Sequence, residues 1–155
     1  MTADPRSESP EFRSGARAIS EAALREVAAP DEVVLSLGFL DPLIELAAEG
    51  EVPTIDRHSR SGGFGGADLL ALAVAPLAVV ALEHLAALAE RTADRLTDAE
   101  LEVAMASLRP RMEGLIRRTG SKRASERSDE IIAAVGRAVR AHQVSLEESE
   151  ADAGP

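Results

Sequence analysis

The chain has 155 residues, enough for one ordinary domain with an apolar core and too few for two comfortable ones. Its formal charge of −10 opposes uniform attraction to nucleic acid phosphates or anionic lipid, and the absence of cysteine excludes disulfides, thiolate nucleophiles and cysteine-ligated zinc or iron–sulfur centres. Only three residues are aromatic, all Phe, so platforms for stacking bases or caging cations are poorly supplied.

The opening residues "MTADPRSESPEF" lack a basic stretch followed by an apolar one, so no cleaved secretory signal is expected. Together with the missing cysteines this points to a cytoplasmic protein. Residues 1–11 and the acidic end 147–155 carry too little apolar surface to offset the entropy of ordering, and both are expected to be disordered around a helical domain spanning 12–146.

Ala16, Ile19, Ala23 and Val27 recur at steps of three and four, which predicts a first helix over about 14–29, stopped by Pro30. Glu21 precedes Arg25 by four residues, the favourable order for an exposed pair. The run from Val33 to Phe39 opens with two β-branched residues and predicts a short strand, for which the internal partner "EVPTID" is short and interrupted by proline. Asp41 before Pro42 reads as a helix start and Gly50 as its stop, giving a short helix over 42–49.

The stretch "RHSRSGGFGGAD" then places four glycines around Phe64 beside Arg57, His58 and Arg60. Successive backbone N–H groups there could form an anion-binding nest, with Arg57, His58, Arg60, Gly62 and Gly63 as the candidate ligand-binding residues. The lysine and hydroxyl residue of a phosphate-binding P-loop are missing, and Asp68 would repel a phosphate at the following helix. A mobile connection over 58–67 accounts for the glycines more simply.

Beyond Asp68 the uncharged run Leu69–Leu82 is fourteen residues long, short of the roughly twenty that span a bilayer. It reads instead as a core helix, either kinked at Pro76 or divided there, continuing to about Arg95. Leu70, Leu77, Leu85 and Leu88 are distributed around its circumference, so burial on most sides is expected. In so small a domain that arrangement suggests a second subunit, and these four leucines are the candidate apolar contacts with a partner.

"TDAE" at 97–100 is a capping box and predicts a helix start. Leu101, Met105, Leu108, Met112 and Leu115 form its packing face, which Pro110 is expected to bend or break; Gly120 should end it, with Arg117 and Arg118 favourably placed in the last turn. "GSKRASERS" reads as a link, followed by a last helix over about 126–144, with Ile131, Ile132, Val135, Val139 and Leu146 directed toward the core or a partner.

Charge is partitioned unevenly. Residues 1–106 hold 8 basic and 19 acidic residues for a net −11, residues 107–142 hold 9 basic and 4 acidic for +5, and the tail adds −4. The basic segment 109–127 could meet nucleic acid, with a superficial likeness to a helix-turn-helix, but its link is long and the acidic body opposes approach. Matching of basic helices to acidic ones, within the chain or between subunits, is the competing explanation, and Arg117, Arg118, Lys122 and Arg123 would then select a partner electrostatically.

Catalytic groupings are sparse. Asp56 with His58 and Glu83 with His84 are the close imidazole–carboxylate pairs, His142 stands apart, and Ser59 and Ser61 lie in no nucleophile elbow. No catalytic residue, metal ligand or cofactor is assigned. The expectation is a mainly α protein of four to six helices with at most one short strand or hairpin near 33–56, acting as a non-catalytic adaptor that self-associates and binds a protein. The alternatives are a small metal-dependent or phosphate-ligand-binding enzyme using loop 56–68, and a nucleic-acid-binding protein using 109–127.

Overall fold

The computed structural model describes residues 9–54, 69–92 and 96–153. Among them the chain is all α: seven helices pack into one domain, and there is no strand. The candidate loop 56–68 and its residues Arg57, His58, Arg60, Gly62 and Gly63 lie outside the described residues.

Helix α1 (Pro10–Val27) begins four residues before the sequence expectation. Ser9 supplies the cap, its hydroxyl accepting the Phe12 N–H at 3.0 Å, and Pro10 occupies the first turn, where its missing N–H costs nothing. Ala16, Ile19, Ala23, Leu24 and Val27 are buried along one stripe. Ala28 is extended, and Pro30 opens α2 (Pro30–Leu37).

The expected strand at 33–37 is therefore a helix. Pro30, Asp31 and Glu32 form a favourable first turn, the Val33 N–H donates to the Ala29 carbonyl at 3.0 Å, and burial falls on Val33 and Ser36, a helical step rather than an alternating one. This helix start outweighs the weak β preference of two adjacent valines. α3 (Leu40–Ala48) begins two residues before Pro42, which still sits in the first turn, and Gly50 ends the segment at φ 86°.

Helix α4 (Ala71–Thr92) is the centre of the fold. It runs unbroken through Pro76, and every residue from Leu69 to Ala81 is buried, surrounded by α1 and α3 and by the two long helices that follow. Its entry is tied down from a distance: the Leu70 N–H donates to Glu32 Oε2 of α2 at 2.9 Å, satisfying a donor that the helix start leaves open.

α5 (Asp98–Thr119) starts on the complete Thr97–Glu100 capping box, with both reciprocal bonds at 3.1 Å, and stops at Gly120, φ 75°. Pro110 lies on its exposed side and does not break it. Leu101, Ala104, Leu108, Met112 and Leu115 face inward. The expected link contains a short helix, α6 (Lys122–Glu126), because Ser121 accepts the Ala124 N–H at 3.0 Å and Ala124 is buried. α7 (Ser128–Ala153) buries Ile131, Ile132, Ala134, Val135, Ala138 and Val139, packs most extensively along α1, and continues into the acidic stretch.

Candidate interaction surface

The leucines expected to meet a partner are occupied by the chain itself. Leu70, Leu77 and Leu85 are buried, and Leu88 is half-buried against the same core. The neighbours that an all-round apolar helix requires are α1, α3, α5 and α7 of this chain. The stretch Ala71–Ala89, mean hydropathy 2.0, is long and apolar enough to cross a membrane by length and composition, and 67% of it is buried inside the fold.

Most of the basic segment is also engaged internally. Arg109 bonds to Asp129 and pairs with Glu113 at 3.3 Å, Arg127 pairs with Glu130 at 2.7 Å, and Lys122 lies 4.0 Å from Glu126. Arg123 reaches Glu32 at 2.7 Å, so Glu32, only 13% exposed, joins the entry of α4 to α6. Arg111, Arg117 and Arg118 are exposed and make no ion pair among the described residues. Arg117 and Arg118 thus remain available at the end of α5, where they oppose the partial negative charge of the helix dipole.

Other ion pairs fasten helix to helix: Arg13 to Glu45 and Arg17 to Asp41 between α1 and α3, Arg140 to Asp98 between α7 and α5, and Arg137 to Glu26 between α7 and α1. The Arg137 guanidinium donates to both Glu26 oxygens at 2.7–3.2 Å, which holds the carboxyl below its ordinary range and the guanidinium above its own. Both partners are largely exposed, so the pair orients α1 on α7 more than it stabilises the fold.

Among the described residues no three His, Asp or Glu side chains gather to hold a metal ion. His84 is half-buried on α4, next to Glu83. His142 of α7 lies against Gly15 of α1, so close that a Cβ at Gly15 would stand 3.0 Å from Nε2 and 3.4 Å from Leu82 Cδ1. A Cβ there would have to displace the imidazole by a few tenths of an ångström, and burial holds the His142 imidazole below the usual histidine range.

The surface feature that sequence reasoning missed is a groove of about 710 Å³ between α5 and α7. Leu101, Met105 and Ile132 contribute its apolar walls, and Ala99, Ala106, Ala133 and Gly136 keep it open because none carries a side chain beyond Cβ. Asp98, Glu102, Arg109, Arg137 and Arg140 supply the polar margin. Val103, 69% exposed, stands on α5 between Ala99 and Ala106, one turn from each. The other large exposed apolar side chains among the described residues are Val34 and Leu35 of α2. The signal for the groove was the small residues at 99, 106, 133 and 136, which propensity alone reads as helix formers.

Comparison with protein-family models, curated proteins and solved structures found no match to this chain.

Proposed function

We propose that this chain is a non-catalytic helical interaction subunit that engages a protein through the face formed by α5 and α7. The observation that carries the reading is the α5/α7 groove, apolar along its walls, charged at its margin and flanked by the exposed Val103. A helix laid into such a groove covers apolar surface at the centre while charges at the margin select its orientation. The leucines of α4 belong to the core that holds this face rigid, and the interaction surface moves outward from them to α5.

The nucleic-acid reading rests mainly on Arg111, Arg117 and Arg118, since Arg109, Lys122, Arg123 and Arg127 share their charge with carboxylates of the chain in exposed pairs. Three cations on an acidic body make a small electrostatic footprint. The test is capture of intact assemblies from the native cells with the tagged full chain and with Ala106→Glu, followed by mass spectrometry of proteins and retained small molecules. A stoichiometric protein should be present with the wild type and lost with Ala106→Glu. The same composition from both chains, or a retained nucleic acid or small molecule in place of protein, would overturn the reading.

A further inference from the structure

We infer that the occupant of the α5/α7 groove is α5 of a second copy of this chain, packed antiparallel about a two-fold axis near Val103 and Ala106. The inference rests on the interaction reading above and names its partner.

α5 has two apolar stripes. The inner one builds the core, whereas Ala99, Val103, Ala106 and Pro110 form an outer one, all four exposed, at steps of four, three and four. That spacing keeps a stripe facing a neighbouring helix, and alanine at two of the four positions permits close approach of the backbones. A two-fold axis near Val103 and Ala106 overlaps residues 98–111 of the two copies, about 21 Å at 1.5 Å per residue, long enough for an isologous contact.

Charge decides the orientation. The first half of α5 carries Asp98, Glu100 and Glu102 with no cation, while Arg109, Arg111, Arg117 and Arg118 lie in the second half against a single Glu113. A parallel pair would set like charge on like. An antiparallel pair about that axis sets the acidic start of each helix, Asp98 to Glu102, opposite the stretch of the partner that carries Arg109 and Arg111, and makes the surface complementary to itself. Glu102 and Arg109 both line the groove two turns apart with Ala106 between them, so a two-fold axis near Val103 and Ala106 brings Glu102 of each copy within reach of Arg109 of the other. α5 already meets its antiparallel neighbour α7 through the same device, Asp98 with Arg140 at its start and Arg109 with Asp129 at its middle.

The experiment is sedimentation equilibrium and native mass spectrometry on the full chain and three variants, with circular dichroism confirming that each is folded. Wild type should be a dimer. Ala106→Glu places two like charges at the axis, and Glu102→Arg or Arg109→Glu sets like charges at positions 102 and 109 across the contact; each should raise the dissociation constant at least about tenfold. Equimolar Glu102→Arg and Arg109→Glu should recover a one-to-one heterodimer, because each supplies the charge the other lacks. Ala106→Glu is the variant to read if Arg109→Glu fails to fold, since it removes no internal contact. A monomeric wild type, a dimer indifferent to Ala106→Glu, or folded charge variants that do not pair would overturn the inference. If the wild type is monomeric while Ala106→Glu still abolishes capture of a different protein, the second copy is excluded and the interaction reading stands.

Discussion

Replacing Leu77 by alanine separates a core role for α4 from an interface role. Leu77 has no exposed surface and sits one residue after Pro76, within the run where every side chain is buried by the chain's own helices. Truncation removes its buried apolar atoms and leaves a cavity that the surrounding helices fill only in part. A cost of about 3 kcal/mol lies within the range for such sites, and for a chain of this size it lowers Tm by about 6–12 °C. The assay is urea and thermal unfolding at two protein concentrations tenfold apart, so that any contribution from association appears as concentration dependence. Val103→Ala is the control: that side chain is 69% exposed, and its loss should change intrinsic stability by less than about 0.5 kcal/mol. A Leu77→Ala protein with an unchanged unfolding midpoint and a lower assembly mass would refute the assignment of α4 to the core.

Thr97→Ala removes the hydroxyl that accepts the Glu100 N–H and should cost about 1 kcal/mol by urea denaturation. Glu32→Ala takes away both the acceptor for the Leu70 N–H and the partner of Arg123; about 1–2 kcal/mol should be lost, with faster amide exchange at the entry of α4. Gly120→Ala forces a side chain into a left-handed conformation at φ 75° and should destabilise by about 1 kcal/mol. For His142 the folded chain resists a proton that the unfolded chain accepts near pH 6.5. Its contribution is therefore complete above that pH, declines as pH falls toward the depressed folded value, and is constant below it. The drop in urea midpoint between about pH 7.5 and pH 5 should be smaller in His142→Gln than in the wild type.

The parts of the fold that were legible in the sequence are those set by short-range chemistry. The Thr97–Glu100 box and Gly120 bound α5 where expected because each satisfies open backbone groups locally. The burial of α4 was also legible, since apolar residues around a whole circumference have no wet side to present. What supplies the neighbours was not: the sequence suggested a second subunit, but α1, α3, α5 and α7 close around α4 within one chain. The valines at 33 and 34 concealed α2, although Pro30 with Asp31 and Glu32 already marked a helix start. α1 begins early because Ser9 and Pro10 supply a cap and a first turn from a stretch whose composition looked unable to fold. α6 depends on one serine cap and one buried alanine, too little for a periodic signal. The α5/α7 groove was the least legible feature, since it depends on the separation of two helices more than on the character of either.

Hydrogen exchange of the full chain over a range of protein concentrations tests the whole arrangement most directly. Protection of α4 should be high and independent of concentration, whereas the outer face of α5 and the facing part of α7 should gain protection as concentration rises. Protection that rises with concentration in α4 while α5 stays unchanged would return the interface to the central helix and contradict the account.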